Sequence, residues 1–405
     1  MPPHPTEREA VRFWLRLGCV SFGGPAGQIA LMHDELVERR AWIDEGAFLR
    51  GLNVCMALPG PEAQQLASYI GYRLHGVRGA LAAGGLFVLP SFVLLCVLSG
   101  VYVRYGEVAE IAGAVRGLGG AVVALVLAAV LRIGKRVVRG RLAAGIALVS
   151  FAASIAHVPF LAIIAVAALA GVALSGTLGE PETEPGPVAP VTEPVAWKKR
   201  LAVTLAAWLV PVACLLVVGG VIADLAGFFS VAALVTIGGA YAVLPFVADQ
   251  AVRGYGWLSP SDMVAGLALG ETTPGPLIMV NTFVGFLAGE HHGGSLAWGL
   301  AGASVATACT FAPSFVFILN LAPVVDRARP TGRLASALAA TTIAIVGVIA
   351  GLAVYLARHL FVRGGEPDWV PILLAAIAFL ALRRGISPIR VIAACALAGL
   401  AASVI

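Results

Sequence analysis

The sequence predicts an all-α polytopic membrane protein of about 13 transmembrane segments, arranged as two inverted repeats with broken helices. Three observations carry this. The 405 residues are 59% hydrophobic and only 12% charged, with a mean hydropathy of +0.93, whereas a soluble domain carries about 25% charged residues. The two halves repeat one another at a fixed offset. A single odd helix stands between them.

Composition also excludes several classes. The start, "MPPHPTEREAVRFWLRLG", lacks the basic, apolar and small-residue regions of a signal peptide and reads as a retained cytoplasmic N-terminus. The net charge of +5 does not point to nucleic acid, because the basic residues sit in short loops and no basic run interleaves with aromatics. The six cysteines are scattered, with no CxxC or Cys/His spacing, so neither a disulfide framework nor a zinc site is expected. His291-His292 in "AGEHHGGS" reads as a solvated loop pair. No metal and no cofactor is expected.

The repeat is found by offset. "SFGGPAG" at 21–27 matches "TIGGAYA" at 236–242, 215 residues on, and Trp42, Gly51-Leu52 and Pro59-Gly60-Pro61 match Trp257, Gly266-Leu267 and Pro274-Gly275-Pro276 at the same offset. "LPSFVLL" at 89–95 matches "APSFVFI" at 312–318, offset 223, which puts eight extra residues near the "EHHGGS" loop.

Six apolar segments fill the first copy, 1–176, near 10–32, 47–71, 79–102, 108–131, 142–157 and 158–176. Residues 177–200 form a Pro/Glu-rich linker that cannot build a core. An extra helix follows at 201–222, and then the second copy, 228–405, with segments near 228–249, 262–288, 295–320, 335–357, 369–382 and 388–405. Six crossings return the chain to its starting side and the extra helix reverses it, so the second copy is inverted. Inverted repeats are a recurring transporter architecture. With 13 spans, 20 Lys/Arg fall on the N-terminal side and 6 on the other, which places the N-terminus in the cytoplasm. Three of the six exceptions lie in 33–50. If the first two segments are re-entrant, this loop changes sides and the overall parity survives.

Backbone breaks inside a membrane are tolerated only where protein or a wet cavity satisfies the freed groups. "ALPGPEAQ" and "TTPGPLIM" are such breaks, as are "GGPAG" and "GGAYA". Pro61 and Pro25 fit the first helical position, and each break starts a half-helix whose free N–H groups suit an anion. The expected binding set is Gly23, Gly24, Pro25, Asn53, Pro59, Gly60, Pro61, Gln64, Gly238, Gly239, Thr272, Thr273, Pro274, Gly275, Pro276 and Asn281. Ser21, Gln28, Gln65 and Thr236 add hydrogen-bonding capacity, for which helix–helix bonding is the alternative use. Glu62 and Glu271 are the acids placed deep in the membrane, hence coupling candidates. Glu62 also simply complements a helix dipole. Arg116 lies inside a span as a candidate countercharge, or snorkels to the surface.

These stretches resemble the chromate ion transporter family in its long, two-domain form. The resemblance rests on "FGGPAGQIALMHDELVERRAWID", "ALPGPEAQQLASYIGYRLHGVRGALAAGGLFVLPSF", "TIGGAYAVLPFV", "GLALGETTPGPLIMVNTFVGFLAG" and "APSFVFIL". Ile237 and Gly270 depart from the usual Phe and Ala. The resemblance implies export of chromate, with sulfate as the close structural analogue, across the inner membrane. Alternatives are a passive anion channel or a transporter of sulfate or another oxyanion. An integral-membrane enzyme lacks support, since no HExxH, G-x-S-x-G set or paired carboxylate–histidine set occurs in the spans. The expected partners are the oxyanion and membrane lipid. The sequence carries no signature that decides for or against a homodimer.

Overall fold

The computed structural model describes residues 5–22, 24–106, 108–175, 197–236, 240–324, 332–363 and 365–404. The expected linker lies outside the described residues up to 196, and 197–200 begin the extra helix instead.

Helix follows helix. The first copy supplies α1 (Glu7–Val20), α2 (Gly24–His33), α3 (Glu45–Ala57), α4 (Glu62–Tyr105), α5 (Ala109–Val137), α6 (Gly140–Ile155) and α7 (Phe160–Ala173). The extra helix is α8 (Trp197–Val218). The second copy supplies α9 (Gly220–Val235), α10 (Ala240–Asp249), α11 (Pro260–Thr272), α12 (Val280–Gly293), α13 (Leu296–Leu321), α14 (Gly332–Leu360), α15 (Trp369–Arg383) and α16 (Pro388–Val404). Among the described residues the sole sheet is a two-residue antiparallel ladder, β1 (Val362–Arg363) with β2 (Glu366–Pro367). Among the described residues, five helices carry apolar windows long enough to cross a membrane: α4, α5, α8, α13 and α14.

Three of the four expected breaks are present among the described residues, and the glycines of the fourth, "GGAYA", lie outside them. α1 gives way to α2 after Ser21, α3 to α4 at Leu58–Pro61, and α11 to α12 at Thr273–Pro276. The last break starts with one turn of 3₁₀-helix, Leu277–Met279. α4 is itself interrupted where His75 and Gly76 leave helical geometry, Gly76 at φ +61°. Its first part, 62–74, is a half-helix of about 20 Å.

The chain forms two compact units, and they are not the sequence repeats. One unit joins Met1–Cys96, Glu182–Ala240 and Thr273–Pro330. Its core packs Phe13, Trp14, Leu36, Phe48, Leu66 and Tyr69 against Ile318 of α13. The other joins Val97–Pro181, Tyr241–Thr272 and Thr331–Ile405. In it α5 packs on α11, α14, α15 and α16, and α14 covers α6 and α7.

The repeat extends to backbone detail that sequence did not reveal. A π-helical segment follows α2 at Asp34–Arg39, and another follows α10 at Gln250–Gly254. Each is closed by matching bonds. Arg40 N–H donates to Glu35 O and Trp42 N–H to Leu36 O, while Tyr255 N–H donates to Gln250 O and Trp257 N–H to Ala251 O. The turn residue is left-handed in both copies, Ala41 at φ +48° and Gly256 at φ +64°.

Candidate functional site at the helix breaks

The first unit holds both PGP breaks. α1 stops at Ser21, whose hydroxyl bonds back to Leu17 O. α9 stops at Thr236, whose hydroxyl bonds back to Ala232 O at 2.6 Å. This i−4 bond competes with the helix ladder, and the two caps share one geometry, φ −79°, ψ 77° and φ −75°, ψ 78°. A terminal carbonyl has no acceptor role left inside its helix. Here the PGP stretches supply the donors crosswise. Gly60 N–H donates to Thr236 O at 2.7 Å, and Gly275 N–H donates to Ser21 O at 2.8 Å.

Both glycines sit where other residues do not fit. Gly60 has φ +118° and Gly275 φ +103°. A Cβ on Gly60 would lie 2.4 Å from Ser314 Oγ, and one on Gly275 would lie 2.7 Å from Ser91 Cβ. Ser91 and Ser314 are counterparts in the repeated "PSF". Each therefore packs on the glycine of the other copy, a role the sequence reading missed because it used "PSF" only as a repeat marker.

Two glutamines staple the breaks. Gln28 Nε2 donates to Ser21 O and to Gly275 O. Gln65 Nε2 donates to Pro59 O at 2.6 Å and Ser314 Oγ at 3.3 Å. Gln64 is fully buried, with its Nε2 on Ser68 Oγ, and Asn281 Nδ2 reaches Thr310 Oγ1. Among the described residues, no donor reaches the buried amide oxygens of Gln28, Gln64, Gln65 and Asn281. A buried acceptor without a donor is costly.

The remaining expected residues fall as follows. Gly24 opens α2 at φ +70° and Pro25 is the second residue of that helix, not the first. Pro61 directly precedes α4, which begins at Glu62, and Pro276 likewise precedes its 3₁₀ turn. Pro59 is half-buried; Thr273, Pro274 and Pro276 are buried. Thr272 ends α11. Glu62 is half-buried in the first turn of α4. Asn53 lies on an exposed face of α3. Gly23, Gly238 and Gly239 lie outside the described residues.

Two charged candidates sit in the second unit. Glu271 Oε1 accepts a 2.8 Å bond from the Tyr241 hydroxyl, and Arg132 is close enough to act on the carboxylate electrostatically. Tyr241 was missed in sequence, although "GGAYA" showed an aromatic where the first copy has Ala26. Arg116 is committed elsewhere. Its guanidinium grips Asp368 through two bonds, Nε to Oδ2 at 2.7 Å and Nη2 to Oδ1. Asp368 also caps α15. Arg116 is thus an ion-pair partner and not a free countercharge.

The sequence profile of chromate transporters matches residues 8–172 and 223–400. The chain belongs to the chromate transporter family. The split in the match falls at the linker and α8, as a two-copy chain requires. A chromate transport protein of Pseudomonas aeruginosa is 33% identical over 408 residues, covering 98% of this chain and 93% of that protein. The chromate transport protein of Cupriavidus metallidurans is 30% identical over 403 residues, covering 99% and 94%. No solved structure matches. Like the family, this chain is a multi-pass membrane protein by its apolar helices, and its relatives are transport proteins.

Proposed function

We propose that this protein exports chromate, or a sulfate-like tetrahedral oxyanion, from the cytoplasm across the inner membrane, and that the anion binds at the PGP breaks. The observation that carries this is the crossed pair of bonds from Gly60 to Thr236 and from Gly275 to Ser21. It uses up the helix C-terminal carbonyls, which would repel an anion, and sets the two PGP stretches at the positive N-terminal ends of α4 and of the Leu277–Met279 turn, which attract one. The unpartnered amide oxygens of Gln64 and Asn281 suit the O–H of a protonated oxyanion or of its hydration water.

The direction follows from charge. A dianion leaving a negative interior gains about 4.6 kcal/mol at 100 mV. Glu271, held by Tyr241, is the acid we assign to proton coupling. Glu62 lies in the first turn of α4 and disfavours the anion whenever ionised.

The contacts within each unit also support a revised topology, in which the broken segments are re-entrant. In the first unit Arg40 lies 5.0 Å from the Phe13 ring, Trp42 packs 5.2 Å from it, and His75 Nε2 meets Pro5 O at 3.0 Å. The start of α1, the α2–α3 turn and the N-terminal end of the 77–105 span thus share one end. In the second unit Asp262 accepts from Tyr102 at 2.9 Å, which puts the α10–α11 turn with the other end of that span. Four re-entrant pairs and nine crossing helices result. Arg39, Arg40 and Arg50 then join the basic side and Arg253 leaves it, so the Lys/Arg balance sharpens from 20 against 6 to 22 against 4.

Purified protein in liposomes tests the transport reading. Chromate and sulfate uptake should follow an imposed potential, and Glu271→Gln should uncouple it from a pH gradient while leaving uptake intact. Liposomes that move neither anion would sink the reading.

A further inference from the structure

The second unit contains a cavity of about 150 Å³ that none of the features above uses. Three elements wall it: the turn between α6 and α7, the π-helical segment Gln250–Gly254 with the end of α10, and the C-terminal turns of α14. Its polar lining includes His157, Asp249, Arg253, Tyr355, Arg358 and His359, over an apolar floor. Arg253 Nη1 lies 2.7 Å from His157 Nδ1 and 3.6 Å from Asp249 Oδ1, and its guanidinium sits 5.0 Å from the Tyr355 ring. His359 Nδ1 donates to Tyr355 O at 2.8 Å. A guanidinium only donates, so His157 Nδ1 accepts from Arg253 and the ring proton rests on Nε2.

Two features make this more than a basic surface. Two guanidiniums face one carboxylate, so the cavity is positive even with both histidines neutral. His157 is also held at φ +59°, a left-handed conformation that side-chain-bearing residues rarely adopt and that helix ends normally assign to glycine. The strain places an imidazole against Arg253 where glycine would serve the turn better.

We propose that this cavity is a second oxyanion site, binding a sulfate-class tetrahedral anion through Arg253 and Arg358, with the Nε2–H of His157 as a further donor. A guanidinium fork matches such an anion in charge and spacing. The site lies in a different compact unit from the PGP breaks and does not depend on the transport reading.

Equilibrium dialysis of full-length protein with radiolabelled sulfate tests it. The double variant Arg253→Gln/Arg358→Gln should lose one class of binding site, or weaken it by about tenfold or more. Asp249→Asn should tighten binding, since it removes the opposing charge. His157→Gly should leave thermal stability unchanged or higher while weakening sulfate, a combination that a purely structural histidine would not give. Sulfate affinity unchanged in both the double arginine variant and His157→Gly would overturn the proposal. Liposomes that fail to transport, combined with loss of sulfate binding in the double arginine variant, would separate the two readings.

Discussion

The amide of Gly60 donates to the carbonyl of Thr236, and 215 residues from each, Gly275 and Ser21 make the same bond. The PGP stretch of each copy thus satisfies the broken helix of the other. Each half of the sequence contains the donors and acceptors that its partner lacks. An unsatisfied buried carbonyl costs about 1–3 kcal/mol, and lipid offers no donor in its place. The two copies are therefore locked together at their breaks, and neither break is complete without the opposite copy.

Gly60→Ala and Gly275→Ala should each destabilise the protein by about 3 kcal/mol, from a disfavoured backbone region plus a clash. The added Cβ meets Ser314 or Ser91. Gly294→Ala is the control. Gly294 is left-handed, at φ +68° and ψ 20°, but open space surrounds its Cβ position, so its cost should stay near 1–2 kcal/mol. Thermal unfolding in detergent ranks the three. Equal losses at all three positions would remove the packing argument.

Ala41 occupies the position that Gly256 fills in the second copy, both left-handed. Ala41→Gly should raise stability by up to about 1 kcal/mol, and Gly256→Ala should lower it by about the same amount. The measurement is again the unfolding midpoint. A destabilising Ala41→Gly would mean that the methyl group packs for more than the strain costs.

What the sequence disclosed follows from the kind of signal each feature leaves. Apolar runs and PGP triplets announce helices and breaks directly, because proline and glycine change the backbone wherever they stand. Breaks at Ser21, Pro59–Pro61 and Pro274–Pro276 were therefore readable. The crossed bonds were not, because a backbone amide carries no residue-type signature. Ser91 and Ser314 looked like repeat markers since nothing in "PSF" shows what the hydroxyl faces. The π-helical segments Asp34–Arg39 and Gln250–Gly254 have no periodicity that separates them from α-helix. Arg116 looked like an isolated cation because its partner, Asp368, lies 252 positions away. Tyr241 was visible as an asymmetry between copies but gained meaning only beside Glu271.

The Arg116–Asp368 pair should act as a structural unit. Arg116→Ala and Asp368→Asn should each destabilise the protein, and a double-mutant cycle should give a coupling of about 1–3 kcal/mol. Substrate affinity in the surviving protein should stay the same. A selective loss of anion affinity in Arg116→Ala, with stability intact, would restore Arg116 to the binding site.

Topology gives the sharpest contrast between the first reading of the segments and the re-entrant one. In a background with the six native cysteines replaced by serine, Glu38→Cys reports on the α2–α3 turn and Tyr255→Cys on its counterpart between α10 and α11. Both side chains are exposed. If the broken segments cross the membrane, position 38 faces outward and position 255 inward. If they turn back at the breaks, a membrane-impermeant maleimide should label Tyr255→Cys in intact cells and Glu38→Cys only in inverted vesicles. The contacts of Arg40 with Phe13 and of Asp262 with Tyr102 and the sharper Lys/Arg balance favour the second pattern. It brings the four breaks to mid-membrane from both sides, two from each, which is the arrangement a shared site between inverted copies needs. Labelling of Glu38→Cys from the outside would return these segments to crossing helices.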